Sequence, residues 1–421
     1  MIDFFRIVFL VFIFTAVSKS QWIIQNSGTN QILNSVHFVN AQTGYTAGNS
    51  GILLKTSNGG INWVPLNSGT SEVLNSVHFF NSTSGIVCGN SGIIIRTTNG
   101  GANWNNVNSG VSAALNSISF SDNVNGICSG HNGTLLWSSN GGVSWVIGQQ
   151  GFLVSYYGVH MVNSLTGYAA GVNTIFAPLI AKTSNGGMNW TYSTFYVNNN
   201  EATLRDIHFI NINEGFTVSN VWDGQGGISY TSNGGLNWTH QLFTNALNSA
   251  DFPSANTGYA VGFSGSILKT TNRGISWTAQ SSPVSNILRG VSFADSLTGF
   301  AVGDNGVTLK TSNGGITYIN RISSGVPDKF YLYQNYPNPF NPITKIKFDL
   351  PASPFSLGEG MGVRLVIYDV LGREVVTLID EQLRPGTYEV DFDGSNYPSG
   401  VYFYTLSAGD YSETKKMILL K

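Results

Sequence analysis

Short runs in which apolar and polar residues alternate, closed by turns of Asn, Ser and Gly, follow one another along most of the chain. Leu33-Asn34-Ser35-Val36-His37-Phe38 has the two-residue period of a half-buried strand. Gly44-Tyr45-Thr46-Ala47-Gly48 and Ile52-Leu53-Leu54-Lys55-Thr56 predict two more. After the turn at Ser57-Asn58-Gly59-Gly60, a fourth strand opens at Ile61-Asn62-Trp63 and ends at Asn67-Ser68-Gly69. The unit then recurs. A phrase built on Thr-Ser-Asn-Gly-Gly-x-x-Trp runs first from Thr56 to Trp63. Its aromatic position returns at Trp104, Trp145, Trp190, Trp238, Trp277 and Tyr318, with gaps of 41, 41, 45, 48, 39 and 41 residues. Four short strands per period of about 40 residues predict an all-β, seven-bladed β-propeller, because each unit can bury its faces only against its neighbours.

The turn is specified by residue type. Asn58, Asn99, Asn140, Asn185, Asn233, Asn272 and Asn313 precede the glycines, where Asn closes a turn with its own side chain. The residue after Asn varies, being Arg273 in the sixth copy. The next is always Gly: Gly60, Gly101, Gly142, Gly187, Gly235, Gly274 and Gly315. The demanding backbone conformation is therefore placed at that second Gly. These residues resemble the Asp-box of BNR-type propellers, with Asn where the box usually has Asp. The longer unit, such as Thr257-Gly258-Tyr259-Ala260-Val261-Gly262 with Ile267-Leu268-Lys269-Thr270-Thr271-Asn272, resembles the repeats of Ycf48-like photosystem assembly factors over roughly residues 21 to 325. The resemblance implies the fold; the box itself braces hairpins in many unrelated activities.

Both ends of the chain carry further signals. Trp22-Ile23-Ile24-Gln25-Asn26-Ser27-Gly28 has the length and ending of a fourth strand, with no first three strands before it. It is expected to complete the seventh blade and close the ring, so that Tyr318 leads away into a linker. Upstream, Arg6, the apolar run Ile7 to Val17 and Ser18-Lys19-Ser20 have the layout of a secretory signal peptide, too short to span a bilayer. The C-terminal segment opens Tyr331-Leu332-Tyr333-Gln334-Asn335-Tyr336-Pro337-Asn338-Pro339-Phe340-Asn341-Pro342. It carries six strand-like runs, a turn at Asp369-Val370-Leu371-Gly372-Arg373, and an ending at Lys415-Lys416-Met417-Ile418-Leu419-Leu420-Lys421. These residues resemble the type A sorting domain of type IX secretion substrates, a small Ig-like sandwich. That resemblance implies Sec export, transfer across the outer membrane by the type IX machinery, and a secreted or surface-attached product from which the domain is usually removed. The expected organisation is a signal peptide over 1–20, the propeller over 21–318, a linker over 319–329 and the sorting domain over 330–421.

Charge narrows the partners. Residues 21–325 hold nine Lys/Arg and nine Asp/Glu, so this region has no field to draw nucleic acid or an anionic membrane. Cys88 and Cys128 lie in the second strands of blades two and three, one residue apart in register, and are expected to remain buried thiols. His37, His78, His160 and His208 share one repeat position. Because Ser119, Asp251 and Ser292 hold it in the other blades, packing is expected there; no metal site and no cofactor is predicted.

The candidate binding residues lie on one face. Strand order puts the loops from strand four to the next strand one, and those between strands two and three, on the same side of the ring. The insertions that lengthen blades four and five, Val172 to Leu179, Thr191 to Thr203 and Asn220 to Gly226, fall there and carry Phe176, Tyr196 and Trp222. The second position of strand one lies at that rim too: Asn34, Asn75, Asn116, Tyr157, Arg205, Asn248 and Arg289. Ycf48-like proteins often have Arg there as a basic patch for a partner polypeptide; only Arg205 and Arg289 match. The asparagines are equally read as caps of strand ends. For catalysis, the BNR resemblance brings in glycoside hydrolases, and Asp206 with Asp251 is the one carboxylate pair to propose. Asp206 follows Arg205 directly and could serve as its ion-pair partner. The expected function is a non-catalytic secreted or cell-surface binding or adhesion protein with a glycan or protein ligand; the alternative is a secreted glycoside hydrolase of the BNR-propeller type.

Overall fold

A computed structural model describes residues 22–420 apart from 152, 199, 316–318, 353–360 and 395–396; the expected leader and Tyr318 lie outside the described residues. From Ile23 to Thr311 the chain forms seven four-stranded antiparallel sheets. In the first, Leu33–Phe38 pairs with Gly44–Gly48, which pairs with Leu53–Thr56 and then Val64–Leu66. Gly44–Gly48 is buried along its whole length, whereas Val64–Leu66 is largely exposed, so the second strand is packed on both faces and the fourth is an outer edge.

Consecutive sheets are locked by aromatic rings. Tyr45 of the first blade stacks on Phe79 of the second at 3.4 Å between centroids, and Tyr168 stacks on Phe209 in the same way at 3.6 Å. The ring under which strand two starts leaves no room for a side chain there: a Cβ on Gly44 would lie 2.5 Å from Phe38. Phe300 of the last repeat stacks on Phe38 of the first at 3.6 Å, so the contact that joins neighbouring blades also joins the ends of the array.

The N-terminal strand completes the seventh sheet. Ile23–Gln25 pairs antiparallel with Thr308–Thr311. Fully buried Trp22 stands edge-on to Phe293 at 5.9 Å, as Trp63 stands to Phe38 at the same distance. Ser27 Oγ donates to Gly306 O at 2.6 Å, as Ser68 Oγ does to Gly51 O at 2.7 Å.

Each Asn-Gly turn is a closed set of hydrogen bonds. Asn58 Oδ1 accepts from Thr56 Oγ1 at 3.0 Å and from Asn62 N at 2.9 Å, while Thr56 Oγ1 accepts from Gly60 N at 2.9 Å. In this copy only the side-chain oxygen is used, as an Asp would use it, whereas Asn140 and Asn272 also donate through Nδ2 to Ser144 Oγ and Ser276 Oγ at 2.8 and 2.9 Å. The special conformation is not confined to the second Gly. Gly59 and Gly60 have φ of 66° and 82°, and Arg273 occupies the left-handed region at 58°. What adds to the demand at the second position in most copies is a neighbouring side chain, since a Cβ on Gly274 would meet Phe216 at 2.3 Å, although Gly235 has 3.6 Å of room.

Cys88 and Cys128 are free thiols in one buried cluster between blades two and three. The C-terminal part forms two four-stranded sheets around a core that includes Leu332, Phe348, Leu365 and Tyr404. The span expected as a linker contains a strand of this unit: Ile319–Ser323 adds to Gly386–Asp393, whose free edge offers unpaired backbone groups. No helix of the described residues is long and apolar enough to cross a membrane.

Candidate ligand-binding site

In all seven blades the pairing of strands one and two slips by one residue at the second position of strand one. The skipped residues are Asn34, Asn75, Asn116, Tyr157, Arg205, Asn248 and Arg289. A β-bulge leaves its extra residue out of the ladder and re-aims its side chain. All seven line one cavity of about 250 Å³, together with Asp206 and serines of strand one.

The asparagines have a structural duty on one side only. Asn34, Asn75, Asn116 and Asn248 donate through Nδ2 to Leu74 O, Leu115 O, Tyr156 O and Leu288 O of the next blade, at 3.1, 2.8, 2.8 and 2.8 Å. A backbone carbonyl can only accept, so the amide nitrogens are fixed toward the neighbouring blade. Asn34 and Asn75 also donate to Asn49 and Asn90, 15 residues further on.

The two arginines differ. Arg289 Nε donates to Asp304 Oδ1 at 2.5 Å, again across 15 residues, and its charge is matched. Arg205 has neutral Asn220 at the corresponding place and no acidic partner among the described residues. Its guanidinium lies 4.5 Å from the centre of the Tyr157 ring. Burial draws its pKa down, and the charge of Arg289 adds to the effect against the support of Tyr157. His131 meets Tyr157 edge-on at 5.6 Å and hydrogen-bonds Ser155 Oγ at 3.1 Å. Burial, then the Arg205 charge, lowers the His131 pKa. His131 and Asp304 were not singled out from sequence; aligning the repeats on the 15-residue spacing would have found Asp304.

The carboxylates are struts between blades. Ser35 Oγ accepts from Val77 N and Ser292 Oγ from Phe38 N, both at 3.2 Å. Asp206 and Asp251 do the same, accepting from Ala250 N at 3.1 Å and Phe293 N at 2.7 Å. Asp206 also accepts from Ser249 Oγ and Ile207 N, which engages both its oxygens. It does not pair with Arg205, because Arg205 sits in the bulge and turns away. Burial pushes both carboxyls up to about 6 against these hydrogen bonds. The histidines pack in pairs, His37 on His78 at 4.8 Å and His160 on His208 at 4.6 Å. Burial lowers His37 and His160 to about 4.

The lengthened loops of blades four and five are knitted together. Ala202 N donates to Phe176 O and Trp222 N to Glu201 O, both at 3.2 Å, over a small core of Val197, Ala202 and Val221. Phe176 is held at a φ of 56° and stands 5.9 Å from Trp222, which is 75% exposed. Tyr196, on the adjoining segment, is also exposed. Holding a bulky residue in the left-handed region costs stability, and the loops leave large apolar rings in water.

Residues 14–112 match the family model described as photosynthesis system II assembly factor YCF48, and residues 334–420 match that of the secretion system C-terminal sorting domain. No curated protein matches. Among solved structures, the chain is similar to YCF48 bound to a D1 peptide, with 19% identity, a TM-score of 0.58, and coverage of 71% of this chain and 97% of that one. YCF48 from Cyanidioschyzon merolae matches with 18% identity and a TM-score of 0.56, covering 69% and 98%. The WD40 β-propeller domain of Doa1 matches with 16% identity and a TM-score of 0.56, covering 69% and 97%. At these identities the likeness is one of fold: the chain carries a β-propeller. The sorting domain marks it for type IX secretion and export to the cell surface or extracellular space.

Proposed function

We propose, from the premise that a Ycf48-like propeller is carried outward by a type IX sorting domain, that this chain is a non-catalytic binding or adhesion protein. Its ligand, a glycan or a protein, would sit over the cavity at the strand-one rim and against the aromatic loops of blades four and five. The observation that carries the reading is the ring of seven bulged side chains around one cavity, with Arg205 unmatched among them. The YCF48 structure bound to a D1 peptide is an instance of this fold holding a polypeptide. Amides and exposed aromatic rings suit sugars equally, which need planar hydrogen bonding and stacking more than charge.

The test is binding to glycan arrays and to surface-protein extracts, beside an assay for sugar release from polysaccharides. Arg205→Ala and Trp222→Ala are each expected to weaken binding by about 1–3 kcal/mol. Asp251→Asn should leave it unchanged, with no sugar released by the wild type. Hydrolysis that is lost in Asp206→Asn or Asp251→Asn while binding persists would favour a glycosidase. If both rim variants bind like the wild type, the face of the Asn-Gly turns becomes the place to look.

A further inference from the structure

The cavity offers two kinds of group, and both follow from hydrogen bonds already assigned. Asn34, Asn75, Asn116 and Asn248 each donate one amide N–H to the next blade, Asn34 and Asn75 spend the other on Asn49 and Asn90, and the four Oδ1 atoms have no donor among the described residues. The ring therefore presents four acceptor oxygens, with one further N–H on each of Asn116 and Asn248. Among them lies one guanidinium without a counter-charge, since Arg289 is matched by Asp304 and both oxygens of Asp206 are engaged. An unmatched, partly buried cation is costly and gains from an anion. A ligand that answers both features brings several hydroxyl donors and a single negative charge on a compact body, as a volume of about 250 Å³ allows little more than one ring.

We infer that the cavity takes a uronic acid unit of a glycan, its carboxylate on Arg205 and its hydroxyls donating to the asparagine oxygens. Tyr157, under the guanidinium at 4.5 Å, holds that group in place. This rests on the binding reading above and names its ligand class.

Isothermal titration of the full chain with methyl glucuronoside, methyl glucoside, inorganic phosphate and a peptide with an acidic C-terminus tests the inference. The glucuronoside is expected to bind at least about tenfold tighter than the glucoside. Arg205→Met should lose about 30-fold or more, while Arg205→Lys keeps part of the affinity. Unchanged melting temperatures would show that both variants fold; if Arg205→Met does not, Arg205→Lys carries the comparison, and wild-type affinity for it overturns the guanidinium's role. Equal affinity for the two sugars overturns the inference, and if Trp222→Ala still weakens glycan binding the broader reading survives. Arg205-dependent binding of phosphate or peptide without the glucuronoside also overturns it. Silence from all four probes, together with a silent glycan array and no captured protein, overturns both.

Discussion

At the bulge, one side chain per blade decides what the axis presents, and its repeat partner decides its charge. Asn34 meets Asn49 and Arg289 meets Asp304, whereas the residue 15 positions after Arg205 is the uncharged Asn220, with no hydrogen bond between the two. The struts obey the same local logic, since Ser and Asp both offer an oxygen to the next blade's N–H, but Asp brings a charge that burial penalises. Folded Asp251 holds its proton up to about pH 6, against 3.8 unperturbed. Its contribution to stability is therefore fully present below pH 3.8 and lost as pH rises through 6. Asp251→Asn keeps an acceptor for Phe293 N without the charge. It should raise stability at pH 7.5 by up to about 3 kcal/mol, and the gain should vanish below pH 4. Urea melts at the two pH values check this; a variant less stable at pH 7.5 would show that the carboxylate's hydrogen bond from Phe293 N is worth more than its desolvation.

At the level of elements, the decisive piece is the strand before the first repeat. Among the described residues Ile23–Gln25 has only Thr308–Thr311 for a strand partner, and Trp22 fills against Phe293 the place that Trp63 fills against Phe38. Trp22→Ala should cost about 3–5 kcal/mol, as for other fully buried large aromatics, and deletion of residues 22–28 more, because a sheet edge then opens. Thermal melts of both, beside Trp63→Ala as an internal standard, measure it. An unaltered melting temperature on deletion would mean that the chain near Tyr318 takes over.

For the whole molecule, the two parts divide the work: the propeller carries the candidate site and the sandwich carries the address. Mass spectrometry of the protein recovered from the medium or cell surface is expected to find a chain starting near Gln21 and lacking most of residues 330–421. An intact C-terminus on the outer surface would rule out the cleavage step. Release would also take Gly386–Asp393 away from Ile319–Ser323, so this strand should become protease-sensitive in the mature form.

The period, the turn chemistry and the ownership of the N-terminal strand were legible in the residues, because strands of one repeat obey the same local pattern of burial wherever they occur. Trp22 could be assigned to the last blade from its spacing to Ser27 and Gly28 alone. The strand at Ile319–Ser323 could not be separated from a linker, as its pairing is with residues some 70 positions away. Nor could the bulges be seen. A one-residue slip between two strands leaves no mark in composition, yet it turns Arg205 away from Asp206 and gathers seven distant side chains around one cavity. Whether an arginine there is matched or free depends on what the neighbouring strand brings beside it, and only the tertiary structure decides that.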